Sequence, residues 1–87
     1  VLANVVPKQT SELCRRFFEG DVEGSRRLQL EYLPLIHALF SEVNPIPVKA
    51  AMADMGYCEN YLRLPLTVMS EAKHENLRSI MRGLGLI

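Results

Sequence analysis

LPLIHALFSEVNPIPVKAAMADMG, Leu33 to Gly56, contains two apolar helical segments and a corner built on two prolines. Each proline biases the residue before it, Asn44 or Ile46, towards extended backbone. Pro47 also suits the first position of a helix, because its missing N–H would have had no partner there. The corner is therefore expected to be stiff, with little chain entropy left to lose, and Asn44 can supply side-chain bonds that prolines cannot. After it, Val48, Ala51, Met52 and Met55 recur on one helical face and Gly56 ends the helix. Before it, YLPLIHALF (32–40) is apolar on almost every side, and a helix of that kind must be covered on every side. Pro34 is expected to kink that helix.

Towards the N-terminus, Asp21 reads as the cap of this long helix, with Glu23 in its electropositive first turn. A shorter helix precedes it, opened by Pro7 and closed by Gly20, with Thr10, Leu13, Cys14, Phe17 and Phe18 on one face. The opening VLANVV is apolar and partly β-branched, and it reads as the end of a buried strand. No second strand follows, so the expectation is a piece of a longer chain whose sheet lies upstream. Towards the C-terminus, YCENYLRLPLTV (57–68) has no clear period and reads as an irregular connector, with Tyr57, Tyr61, Leu62, Leu64 and Leu66 packed onto the helices. Ser70 caps a last helix, Glu71 lies in its first turn, and Leu77, Ile80, Met81 and Leu84 form its apolar stripe before Gly83 and Gly85. The fold class expected is all-α, with about four helices.

Bulk properties exclude several function classes. Eighty-seven residues make one domain, which buries only about 60 to 65% of the surface its unfolded chain exposes. Ten Lys and Arg balance ten Asp and Glu with no basic block, so neither nucleic acid nor an anionic membrane is expected as a partner. No apolar run reaches the ~20 residues of a membrane span, no signal peptide is visible, and a soluble cytoplasmic protein is expected. Cys14 and Cys58 lack CxxC spacing and read as small buried or half-buried thiols in a reducing compartment.

Candidate chemistry is sparse. SEAK, Ser70 to Lys73, matches the bare S-x-x-K pattern, but its companion motifs are absent and a helix cap with a surface lysine explains it. His37 reads as a core or interface histidine and His74 as solvated; neither lies in a zinc-ligand pattern. No phosphate loop, carboxylate pair or activated nucleophile is present, so no catalytic residue, metal or cofactor is expected. Lys49 is the unusual residue, an ammonium near the positive start of a helix. It reads either as an anion-binding group acting with that helix end or as an ion pair to a nearby acid or helix carbonyl end, the second being preferred.

ANVVPK, LCRRFFEGD, LPLIHALFSEVNPIPVKAAMADMG, LRLPLT and GLGLI together resemble the C-terminal part of the dihydrodipicolinate synthase and N-acetylneuraminate lyase family. The resemblance covers nearly the whole chain. It implies a (β/α)8 barrel followed by a helical C-terminal domain, usually in a homotetramer, that condenses pyruvate with aspartate semialdehyde through a barrel-lysine Schiff base in lysine biosynthesis. On that resemblance, residues 1–19 are the end of strand 8 and the last barrel helix, and residues 20–87 are the C-terminal domain. Neither Lys8 nor Lys49 matches the Schiff-base lysine, so the chain alone is expected to be catalytically silent. Asn44 is expected near the active-site rim, Pro45, Pro47 and Lys49 form a structural motif, and the main partner is the missing barrel. The rival reading is an independent small helical interaction module.

Overall fold

The computed structural model describes residues 1–87. Five helices follow one another: α1 (Leu2–Val5), α2 (Pro7–Phe18), α3 (Val22–Leu39), α4 (Ile46–Asp54) and α5 (Glu71–Gly83). Pro7 opens α2 as expected. At its far end Gly20 takes φ 91°, a left-handed conformation that costs glycine nothing. The Gly20 N–H then donates to the Phe17 carbonyl at 3.1 Å and the Asp21 N–H to the Arg16 carbonyl at 2.8 Å, which satisfies the helix end. The chain reverses, and Asp21 Oδ1 accepts the Gly24 N–H at 2.9 Å to cap α3. Gly56, at φ 86°, ends α4 in the same way, with the Tyr57 N–H on the Met52 carbonyl at 3.0 Å.

The core sits where α1, the second half of α3, α4 and α5 meet. Leu35, Leu39, Ala50, Ala51, Leu77 and Met81 are fully enclosed there, with Val5, Val6, Ile46 and Met69 around them. Each enclosed leucine contributes about 1.5 to 3 kcal/mol relative to an exposed one. Ala50 and Ala51 are adjacent in sequence and both fully buried, so α4 is covered over a wide arc, and its small side chains allow close approach. The α5 stripe is as expected: Leu77 and Met81 are buried and Ile80 and Leu84 pack against the core. The molecule measures 44 × 22 × 21 Å, because the α2–α3 hairpin extends away from this cluster.

Several expectations fail, each for a physical reason. The opening residues form a helical turn, not a strand end: the Asn4 N–H bonds to the Val1 carbonyl and the Val6 N–H to the Leu2 carbonyl. β-Branching favours a strand only where a neighbouring strand can pair with it, and here burial of Val5 and Val6 is achieved by packing α1 on α4. The apolar half of α3 is covered on one stripe only. Tyr32, Leu35, Ala38 and Leu39 are buried, whereas Pro34, His37 and Phe40 are exposed. His37, two residues from Leu35, points about 200° away from it around the helix, so it is not a core histidine. Pro34, by contrast, lies inside α3 as expected, and the helix continues past it. Both thiols are exposed. In the connector, Leu62 and Leu66 pack on the core, but Tyr57, Tyr61 and Leu64 do not, Leu64 being 85% exposed.

Candidate functional site

A groove of about 420 Å³ opens between α1 and α4. Helix α1 contributes Asn4, the corner Asn44 and Pro45, α4 Val48, Lys49 and Met52, and the connector Tyr57 and Cys58, with Val1 at the edge. The proline corner thus places Asn44, Pro45 and Lys49 in one concavity. Pro47, the fourth residue of the predicted motif, is fully buried in the core instead. Pro45 is the N-cap of α4 and Ile46 its first residue, one position earlier than predicted. The Asn44–Pro45 bond is cis, as is Leu64–Pro65.

Lys49 is half-buried and makes neither of the contacts expected of it. No acidic side chain lies within ion-pair distance, and its ammonium donates to no carbonyl. The start of α4 is also poor as an anion site. The Ile46 N–H is taken by the Val43 carbonyl at 2.9 Å, the Lys49 N–H by the Pro45 carbonyl at 3.0 Å, and Pro47 has no N–H. Only the Val48 N–H remains free. The groove therefore offers side-chain donors, the Asn4 and Asn44 amides and the Lys49 ammonium, beside the apolar Val48, Met52 and Tyr57. It can hold and orient oxygen acceptors. The Cys58 thiol, also in the lining, makes no hydrogen bond to a base within the chain.

The corner leading into the groove is held from outside α4. The Glu42 carboxylate accepts the Ser70 N–H at 2.8 Å, and Lys73 Nζ donates to the Ser41 carbonyl at 3.1 Å. Ser70 does precede α5, but its own side chain makes no capping bond; Glu42 meets the orphan N–H group there. A second tie joins α4 to α5. His74 Nε2 lies 2.7 Å from Asp54 Oδ2, and Arg78 Nε donates to Asp54 Oδ1 at 3.3 Å, with the His74 and Asp54 side chains only 12% and 13% exposed. His74 is thus enclosed where a solvated side chain was expected, and His37 is exposed, so of its two readings the core one fails. His74 and Arg78 are four residues apart on one helical face, a spacing legible in the sequence, but Asp54 comes from another helix. No three His, Cys, Asp or Glu side chains converge on a metal-sized space. No helix is long and apolar enough to cross a membrane.

On α2, Glu12 is bonded by Arg15 and Arg16, and Arg15 also reaches Glu19. The hydrogen bonds from Arg15 and then Arg16 hold the Glu12 carboxyl at about 2, well below its usual range. The same contacts, Glu12 first and Glu19 next, push the Arg15 guanidinium up.

With helices and groove in place, comparison with known proteins is decisive. Residues 1–84 match the Dihydrodipicolinate synthetase family. The chain belongs to that family. Among this dihydrodipicolinate synthetase family, the 4-hydroxy-tetrahydrodipicolinate synthase of Thermotoga neapolitana is 52% identical over all 87 residues, which are 30% of its length. The crystal structure of dihydrodipicolinate synthase from Thermotoga maritima covers the whole chain at TM-score 0.98 and 50% identity, again with 30% of that protein matched. The chloride-inhibited enzyme of Acinetobacter baumannii, complexed with pyruvate, covers the whole chain at TM-score 0.94 and 39% identity. The chain thus spans about 30% of the length of the family members it matches.

Proposed function

We propose that these residues are the C-terminal part of a 4-hydroxy-tetrahydrodipicolinate synthase, and that their task is to buttress the catalytic barrel. The observation carrying this reading is the whole-length likeness at TM-score 0.98 to less than a third of a synthase. In this reading residues 1–19 belong to the barrel, with α2 as its last helix, and residues 20–87 form the C-terminal helical domain. The parent condenses pyruvate with aspartate semialdehyde through a Schiff base on a barrel lysine, in a cytoplasmic homo-oligomer. Asn44 stands at the active-site rim. Pro45, Pro47 and Lys49 shape the corner beneath it. The free side-chain donors of the groove and the exposed apolar residues of α2 are what a domain cut from a larger contact surface leaves uncovered. The rival reading, an independent interaction module, leaves the matched length within longer enzymes unexplained.

Two experiments test the proposal. Incubating the 87-residue chain with pyruvate and borohydride is expected to leave its mass unchanged, because Lys8 and Lys49 are not Schiff-base lysines; a stoichiometric adduct overturns that. Replacing the matching part of the Thermotoga maritima synthase with this chain is expected to give a folded, active enzyme. A graft that fails to fold or to turn over pyruvate refutes the C-terminal assignment.

A further inference from the structure

The corner between α3 and α4, residues 40–45, is held by bonds more than by burial. Val43, Asn44 and Pro45 are exposed, and the enclosed Ile46 and Pro47 pin only its far end. The near end is pinned by Glu42, whose carboxylate accepts the Ser70 N–H at 2.8 Å, a charge-assisted bond of the stronger kind. Lys73 Nζ donates to the Ser41 carbonyl at 3.1 Å, but it lies in solvent and adds less. Both bonds run to the start of α5, and the fully enclosed Leu77 and Met81 fix α5 in the core. The corner is thus referenced to the core through one carboxylate, two residues before Asn44.

In the reading proposed above α2 is the last barrel helix, so α1 lies on the connection that enters it from the last strand. Barrel active sites are built from such connections, at the carboxyl ends of the strands. Asn44 shares its groove with Asn4 of α1, which sets the corner on that face. We infer that Glu42 is a positioning residue of the synthase: through the Ser70 N–H it fixes where the Asn44 amide stands at the catalytic mouth. Asn44 is the group that meets substrate, and Glu42 acts through it. This rests on the C-terminal assignment.

The test uses the Thermotoga maritima synthase carrying this chain, assayed far below its unfolding midpoint. Asn44→Ala and Glu42→Ala are each expected to lower kcat/KM roughly tenfold, the scale of a displaced substrate contact. The double variant is expected to fall no further than Asn44→Ala alone, because both changes act on one group. Glu42→Gln keeps an oxygen for the Ser70 N–H and is expected to recover most of the loss. Should Glu42→Ala fail to fold, Ser70→Pro removes the same bond from the donor side, at a φ that proline adopts, and is expected to show the same coupling to Asn44. A variant lacking the bond that only melts earlier, with kcat/KM intact, reduces the tie to a helix cap and overturns the inference. Losses that multiply in the double variant overturn it too, as does an Asn44→Ala synthase as active as the unmodified graft. Each of these outcomes leaves the C-terminal assignment standing, whereas an unmodified graft that does not fold or turn over overturns both.

Discussion

The two halves of α3 are built on different terms. The first half pairs with α2 across a surface that encloses only Gly24 and Ser25, and α2 itself buries no residue. The second half encloses Tyr32, Leu35, Ala38 and Leu39 against α4 and α5. In the hairpin the helices rest on local devices: the Gly20 reversal, the Asp21 cap and surface ion pairs along α2. In the cluster they rest on apolar area removed from water. A twelve-residue helix without buried side chains is marginal by itself, so the hairpin is expected to open at lower free energy than the cluster and to exchange its amide protons faster. The difference teaches that helix-forming residues and helix-holding residues are separate sets: α2 has the first and lacks most of the second.

Substitutions at matched apolar sites give the largest contrast. Leu77→Ala empties a fully enclosed position of the cluster and is expected to cost about 2 to 5 kcal/mol in urea unfolding. Phe18→Ala, at a residue 84% exposed, is expected to stay within about 0.5 kcal/mol. Equal losses would erase the distinction between the regions.

A smaller effect probes the hairpin's own support. Asp21→Ala removes the acceptor for the Gly24 N–H and is expected to cost about 1 kcal/mol. Its signature is faster amide exchange in the first turns of α3, with the Leu77 amide unchanged. Uniform acceleration would mean that hairpin and cluster open as one unit.

The smallest effect depends on pH. The Glu12 carboxyl is held at about 2 in the folded chain, against an ordinary value of 4.5. A depressed carboxylate contributes stability that is present above its unfolded value and lost as the pH falls through its folded value. The Glu12 contribution is therefore complete above pH ~4.5 and lost progressively towards pH ~2. Circular dichroism of the wild type and Glu12→Gln should show their difference narrowing across that window; a constant difference would dissociate the ion pairs from the hairpin's helicity.

What could be read in the residues follows the same division. Helix boundaries set by local chemistry were legible: Pro7, Gly20, Asp21, Gly56 and the Leu77–Met81 stripe all occur where their types and spacing require. Burial was less legible, because it depends on what a side chain meets. VLANVV carries strand-forming residues but has no strand to pair with here. His37 sits among apolar neighbours in sequence and on the open face in space, and His74 is enclosed by an aspartate twenty residues away. In the groove, the corner announced Asn44, Pro45 and Lys49. Asn4, Tyr57 and Cys58 reach the same space from distant parts of the chain, and no local pattern marks them.

Within the sparsely buried hairpin, the Ser25 hydroxyl donates to the Leu13 carbonyl at 2.9 Å, while Ser25 itself is enclosed. Helix α2 has half-buried residues such as Leu13 and Arg16 but fully encloses no side chain, so this oxygen pair acts as an index mark. Sliding or rolling α2 by one residue would leave a hydroxyl facing no acceptor. The orientation in which α2 shows Phe17 and Phe18 to the outside is thereby marked by a serine on the neighbouring helix as well as by the half-buried face of α2 itself.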